Sequence, residues 1–335
     1  VALVGAFAAP GIATLLGLGG DAHRDATLFL QTLMTTGLLA AFFPLLDAAF
    51  VAMGRTRTMM ILQVGAAILN ALLNPILIHD LGLGVVGAAL ATSISRSLGV
   101  LLGLSLLSRE LGLGLRHLNA SEIPRILRVG LPVGSNTLAY AFAYWALLHF
   151  TISPLGPEVN AALGIGFSAL EGVSYPIFLG LSLAVSSLVS RRLGAGQPEE
   201  AVRAGRLAIL PVVLLGLGVG GVFYTLAEPL CGLFTHDPKV LAVAVGYAQI
   251  LAFSQIFVAS EALAEGVLLG SGDSRTVFRW SMPLNLARVP LAWALAFGLG
   301  WGAPGVWWAI NITSFLKATG KGQAAWRGDW LRLRL

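Results

Sequence analysis

Charge is the scarcest property of this chain. Asp, Glu, Lys and Arg make up 11% of its 335 residues, against about 25% in soluble domains. A deficit of that size excludes an ordinary water-facing surface. Cysteine is scarcer still. Cys231 stands alone, which excludes an internal disulfide and reads as a small packing residue. The five histidines are scattered, and neither CxxC nor HExxH occurs, so no metal site is expected. No GxxxxGK[ST] loop is present. Glycine-rich stretches such as 81–86 lack the strand that a nucleotide loop follows. No buried His or Cys pattern supplies a nucleophile with its base, so the chain does not read as an enzyme.

What is abundant is apolar sequence, at 56% of residues. Ten apolar runs cover roughly 1–19, 28–53, 58–79, 84–107, 129–150, 161–190, 205–226, 240–269, 279–300 and 303–318. Most reach the ~20 residues that cross a bilayer as a helix. Lipid offers the backbone no hydrogen bonds, so each run should satisfy its own as a helix. The period-two alternation of a membrane barrel is absent. The expected class is an all-α integral membrane protein with about ten transmembrane helices.

The basic residues sort by loop. Seventeen of the 21 fall in the loops after runs two, four, six, eight and ten. Arg24 and Lys239 occupy the other loops, and Arg96 and Arg288 lie inside runs. This is the positive-inside pattern, so the C-terminus should be cytoplasmic. The net charge of +5 therefore signals no nucleic acid. The tail, with basic residues among Trp and Leu, should lie on the inner membrane surface with anionic lipids.

Two loops resemble each other: "FVAMGRTRT" (50–58) and "GVLLGSGDSRT" (266–276). Aligning Gly54 with Gly272, 218 residues on, places Arg57-Thr58 on Arg275-Thr276 and "GVVGAALA" (84–91) on "GAPGVWWA" (302–309). Runs one to four thus repeat as runs seven to ten. Equivalent loops lie on one side, so the expected halves are two pseudo-symmetric six-helix bundles related by an axis along the membrane normal. The chain opens at Val1 with four helices of the first half. A twelve-helix parent that has two more helices before it is the expectation.

Four stretches are similar to one known family. "GLSLAVSSLVSRRLGAGQPEEA" (180–201) resembles the eighth helix and following loop of multidrug and toxic compound extrusion (MATE) transporters. "GVLLGSGDSRT" resembles that family's loop between helices ten and eleven, "NPILIHDLGLGVVGAALATSISR" (74–96) its fifth-to-sixth helix turn, and "RVGLPVGSN" (128–136) the start of its seventh helix. The resemblance implies a two-lobed antiporter that exports organic cations or other amphipathic compounds by alternating access, driven by H⁺ or Na⁺, with no other cofactor. It would act as a monomer in the inner membrane. Residues 1–108 would form the N-lobe, 109–122 a cytoplasmic inter-lobe loop, 123–318 the C-lobe and 319–335 a cytoplasmic basic tail. The chain departs from the family pattern at Tyr140 and Val258, where members carry acidic residues; Glu261 lies one turn after the latter.

Ionisable groups inside a bilayer cost at least ~2.5 kcal/mol, so each is a candidate for function. The acidic candidates for cation coupling are Asp47, Glu171, Glu261 and Glu265. Asp47 and Glu265 are equivalent in the repeat. Glu261 and Glu265 share a helix face, and two carboxylates so close should titrate apart. Glu171 precedes Pro176, whose break in the ladder would open a cavity or, as an alternative, leave a packing hydrogen bond. Asn136, Tyr140 and Tyr144 share a face that could stack a planar cation. Asn70 and Asn74 read as helix-to-helix glue. Four carboxylates against Arg96 and Arg288 favour a cationic or neutral cargo. The alternative cargo is a lipid-linked precursor, moved by a flippase of the same superfamily fold, which needs a basic cavity.

The repeat makes a genomic prediction. The reading frame upstream of Val1 should encode two further apolar runs of ~20 residues each, and sequencing that DNA checks it; a stop codon directly before Val1 would contradict the twelve-helix parent.

Overall fold

The computed structural model of the chain describes residues 2–15, 19–111, 121 and 123–332. Every regular element among them is helical. The chain divides into two compact units, Val1–Asn119 and Ala120–Leu335. Most of the expected inter-lobe loop, 109–122, lies outside the described residues.

The first unit contains α1 (Ala2–Leu15), α2 (Gly20–Thr36), α3 (Phe43–Ala52), α4 (Thr56–Pro75) and α5 (Gly84–Leu111). Leu46, Phe50, Met59, Leu62, Val100 and Leu107 form its core. Asn74 Nδ2 donates to Asn70 Oδ1 and Asn70 Nδ2 to Thr92 Oγ1, each at 3.3 Å, so these amides do tie α4 to α5.

The second unit contains α6 (Ile123–Leu147), α7 (Pro157–Leu163), α8 (Glu171–Gly194), α9 (Pro198–Leu207), α10 (Ile209–Thr225), α11 (Ala227–Gly232), α12 (Pro238–Ala252), α13 (Gln255–Gly270), α14 (Ser274–Trp293) and α15 (Ala303–Arg327). Helix α13 is central and packs on α8, α10 and α15, while α14 packs on α6 and α15.

All ten apolar runs are helical within the described residues. Five continuous helices, Thr56–Asp80, Gly84–Arg109, Ile126–Leu155, Pro157–Gly194 and Pro198–Thr225, are long and apolar enough to span a membrane. Two bent pairs, α2 with α3 at 76° and α12 with α13 at 51°, raise the number to seven. Helices α1, α14 and α15 make up the rest of the expected ten. The first has 14 residues, and the other two carry Arg279, Arg288, Lys317 and Lys321. Large apolar side chains point outward: Leu138 is 74% exposed, Val173 68% and Leu210 65%. Such surfaces are rare on soluble monomers and ordinary where the solvent is lipid.

The repeat is visible atom for atom in the two loops. Gly54 has φ 76° and Gly272 φ 82°, conformations that glycine adopts at no steric cost. Gly54 N donates to Val51 O at 2.9 Å and Arg55 N to Phe50 O at 2.8 Å; Gly272 N donates to Leu269 O at 3.0 Å and Asp273 N to Leu268 O at 2.8 Å. Both are helix-terminating turns of one type. Helix α4 continues as a wide π-turn, Ile76–Asp80, and α14 as another, Ala294–Gly298, again 218 residues apart. At the next turn, a Cβ on Gly87 would lie 2.6 Å from Leu77 O, and one on Gly305 2.7 Å from Leu295 C. Each glycine lets a helix start close against the end of the one before it.

The glycine spacing is thus a packing requirement. Gly305→Ala, which meets backbone on all three near sides, is expected to destabilise by about 1–3 kcal/mol. Gly218→Ala, with nothing within 4 Å of the added methyl, should be neutral or gain ~0.5–1 kcal/mol. Thermal unfolding in detergent distinguishes the two.

Candidate functional site

The seam that positions the site is read directly from small residues. Gly266 and Gly270 of α13 lie four apart, as do Ser182 and Ser186 of α8. A Cβ on Gly266 would come within 2.5 Å of Ser182 O and one on Gly270 within 2.6 Å of Ser186 O. Two such rows let lipid-embedded helices approach closely. On the far side of the unit, Gly320 lets α15 close on the Trp280 ring of α14. Helices α13 and α15 then face each other with their polar residues turned inward.

Between them lies a four-residue ion cluster. Lys321 Nζ is 2.8 Å from Glu261 Oε1 and 2.6 Å from Glu265 Oε2. Lys317 Nζ is 3.1 Å from the same Glu261 oxygen. The Lys321 side chain is 1% exposed, Lys317 10%, Glu261 12% and Glu265 30%. Both pairs have a spacing of four, so one face of α13 presents two anions to one face of α15 that presents two cations. Charges this close in a poorly solvated site attract strongly, and the hydrogen-bond geometry offsets their desolvation.

Three expectations change here. Glu261 and Glu265 are not an isolated like-charge pair, because Lys321 bridges them. The cations turned into the helix bundle are not Arg96 and Arg288 alone, since Lys317 and Lys321 face Glu261 and Glu265. The tail does not begin at 319: α15 runs through Arg327, and Trp330 folds back, 3% exposed, with its Nε1 donating to Ala325 O at 2.8 Å. The lysines were counted with the cytoplasmic loops because run ten ends near 318. The signal that could have found them was their own spacing of four, matched to Glu261 and Glu265.

The repeat makes the cluster a property of one unit. Residues equivalent to Glu261, Glu265, Lys317 and Lys321 are Phe43, Asp47, Gly99 and Gly103. In the first unit Phe43 covers Gly99, and Leu46 covers Gly103. Asp47 there accepts a hydrogen bond from Gln63 Nε2 at 3.1 Å. One helix geometry therefore holds a ring on glycine in one unit and ion pairs in the other.

Glu171 occupies a second polar site in the same unit. It begins α8, directly after a wide π-turn at Gly164–Leu170. The ladder opens at that turn, and α8 continues unbroken past Pro176. Tyr247 and Gln255 lie beside the Glu171 carboxylate. Gln255 in turn donates to Leu251 O at 3.2 Å and accepts from Ser174 Oγ at 3.3 Å. Arg288 lies within electrostatic reach of both Glu171 and Lys317. Its Nε donates to Thr313 Oγ1 at 2.9 Å. The network thus contains three carboxylates, Glu171, Glu261 and Glu265, and three cations, Arg288, Lys317 and Lys321.

The aromatic stripe borders this network. Tyr140 and Tyr144 stack with centroids 6.3 Å apart, and Tyr144 meets Phe167 at 4.9 Å. With Arg288 and Asn285 they enclose a void of about 10 Å³, room for one water and none for a planar cation. Tyr140 keeps 36% of its surface exposed on its other side. Asn136, one turn earlier, has a buried Oδ1 with no hydrogen-bond partner. No group of three His, Cys, Asp or Glu among the described residues could hold a metal ion.

A protein-family model described as MatE matches residues 136–294. The probable multidrug resistance protein NorM of Pseudomonas aeruginosa is 32% identical over 276 residues, covering 77% of this chain and 56% of that protein. Multidrug and toxin extrusion protein 1 of Homo sapiens is 28% identical over 304 residues, covering 85% and 52%. The chain thus spans little more than half the length of these curated relatives. Among solved structures, a MATE transporter in complex with MaL6 aligns with a TM-score of 0.89 at 22% identity, over 99% of this chain and 76% of that one. A eukaryotic MATE transporter, AtDTX14, aligns with a TM-score of 0.85 at 22% identity, over 99% and 75%. At that identity these structures speak for the fold.

The cluster predicts a coupled pair of mutations. Lys321→Met strands Glu265 and is expected to cost about 3–5 kcal/mol of stability. Adding Glu265→Gln should return part of that loss, with a coupling energy of about 0.5–3 kcal/mol. A double-mutant cycle of thermal unfolding in detergent reads it; additive losses would mean that the 2.6 Å contact carries no energy.

Proposed function

We propose, from the premise that the chain belongs to the multidrug and toxic compound extrusion family, that it serves a cation-coupled antiporter. The cargo is an organic cation or another amphipathic small molecule, and the driving ion is H⁺ or Na⁺. The observation that carries this reading is the network of six ionisable side chains on α8, α13, α14 and α15. Such groups in a lipid-embedded unit are kept at a cost and mark ion or substrate pathways.

Within the network the carboxylates differ in what they are free to do. Glu261 and Glu265 neutralise Lys317 and Lys321, so protonating either leaves an ammonium short of a partner. Glu171 has neutral side chains, Tyr247 and Gln255, as neighbours. It can take or give up a proton without leaving a lysine unpaired. We therefore assign the coupling step to Glu171, with Arg288 as the neighbouring charge. The ion cluster holds α13 to α15 and sets the field around it. Asp47 would play its part in the first unit, beside Gln63. Substrate would lie along the open side of Tyr140, with Asn136 and Tyr144 on the same helix.

Transport follows if ion and cargo prefer different conformations of one protein, because each then shifts the population that the other must bind. The bend between α12 and α13 puts a break in a membrane-spanning pair directly beside Gln255. A change at Glu171 thus reaches a place where the helix is already interrupted. The flippase alternative needs unpaired basic groups for a diphosphate, and both lysines are already engaged. The loop charges favour a cytoplasmic C-terminus, and the family resemblance a monomer in the inner membrane.

The test is gradient-driven uptake of a fluorescent organic cation into proteoliposomes of the full-length protein. Glu171→Gln is expected to lower accumulation against the gradient by ~5- to 150-fold, the range of one coupling free energy. Unfolding temperature should stay near that of the wild type. Undiminished ion-driven accumulation by Glu171→Gln would remove Glu171 from the coupling step. Failure of the wild-type protein to concentrate any cation would remove the antiporter reading.

A further inference from the structure

Behind the ion cluster, on the other faces of α13 and α15, lies a cavity of about 400 Å³. Its walls are α9, α10, α13, α15 and the segment that follows Arg327. The geometry points to a binding site for an anionic phospholipid, with one acyl chain in this cavity and the phosphate held by Arg206 and Arg327.

The space exists because the walls carry small residues where they would otherwise meet. Gly322 of α15 has nothing within 4 Å of the position of a Cβ, and a Cβ on Gly205 of α9 would lie 3.2 Å from Val267. Beyond Arg327 the chain turns at Gly328, φ 74°, and folds Trp330 back beneath the opening. The lining is otherwise largely aliphatic, including Val202, Ile209, Val213 and Leu263. Protein interiors close voids of this size, and water would find few partners among such walls. The volume falls in the ~300–1,000 Å³ range of small-ligand pockets. In a protein dissolved in lipid, an acyl chain is the apolar material at hand.

The mouth selects the headgroup. Arg206 and Arg327 are the only charged side chains among the lining residues, and no carboxylate accompanies them. The Arg206 guanidinium lies 5.5 Å from the centroid of the Trp326 ring. Trp and Arg together are what the headgroup level of a membrane selects. Arg206 also follows the loop of Arg191 and Arg192, in the set of loops that holds fifteen of the 21 basic residues once Lys317 and Lys321 are set apart. Those loops face the leaflet rich in anionic lipid. The same two arginines repel an organic cation, so this site is distinct from the cargo path. The inference does not depend on the transport reading.

The test uses the full-length protein in neutral detergent, titrated with brominated phosphatidylglycerol or brominated phosphatidylcholine while Trp fluorescence is followed. Phosphatidylglycerol is expected to quench at lower concentration. Arg206→Gln with Arg327→Gln should weaken it about 25-fold, about fivefold per arginine, and leave phosphatidylcholine unchanged. Gly322→Leu fills the cavity with both arginines intact and should abolish the quenching lost in Trp326→Phe. Ala318→Leu fills the same space from a second position should Gly322→Leu fail to fold. Equal affinity for the two lipids would overturn the proposal. So would unchanged binding in a cavity-filled variant, or a site that takes free phosphate and no lipid.

Discussion

A single ammonium, that of Lys321, holds Glu261 and Glu265 together and is almost completely removed from solvent. Much of the second unit follows from that constraint. A lysine this buried stays charged only if anions meet it, so α13 and α15 must face each other at fixed height and rotation. The glycines of α13 seat it against α8 and Gly320 seats α15 against α14, and the ion pairs fix α13 against α15. Removing either partner leaves a charge with no water to turn to, which costs far more than the pair contributes when intact. The arrangement sets register as well as stability.

The same fold without this constraint is present in the first unit. There the repeat puts Phe43 over Gly99 and Leu46 over Gly103, and packing replaces charge. Two copies of one backbone design therefore carry different loads. The turns at Gly54 and Gly272 and the wide turns after α4 and α14 are the same to within a few tenths of an ångström. What differs is what lies between the helices. A duplicated scaffold can keep its geometry while one copy gathers ionisable groups, because helix packing in lipid depends on small residues and not on the identity of every larger one.

The charge network also changes how cargo polarity is argued. Counting carboxylates against Arg96 and Arg288 makes the membrane interior acidic. With Lys317 and Lys321 included, the network of Glu171, Glu261, Glu265, Arg288, Lys317 and Lys321 holds equal numbers of each sign. Selectivity then turns on which group is left with neutral partners, and that group is Glu171. Its companions, Tyr247 and Gln255, come from α12 and α13, on either side of a 51° bend. A site built across a helix break is placed to feel movement of that break, which is how a local proton event reaches a larger rearrangement.

Much of the fold was legible in the residues alone. Apolar runs can only be helices in lipid, and a positive-φ glycine followed by Arg-Thr recurs wherever the same turn recurs. The Asn70–Asn74 pairing and the Gly-x-x-Gly starts followed from spacing on one helix. Even the family was readable, because its motifs are local strings. The site was legible only in part. Glu261, Glu265 and Glu171 stand out as charges in apolar runs, but their partners do not, since Lys317 and Lys321 sit near the end of the last run. Nothing local distinguishes a lysine at a membrane surface from one turned back into the bundle. That choice depends on how α15 rotates against α13, on the glycines that seat each of them against α8 and α14, and on carboxylates some 56 residues earlier in the chain. Sequence determined which segments are helices and which residues are costly to bury; tertiary packing alone decided which of those costs are offset, because a charge is stabilised by whatever the fold brings within about 3 Å of it.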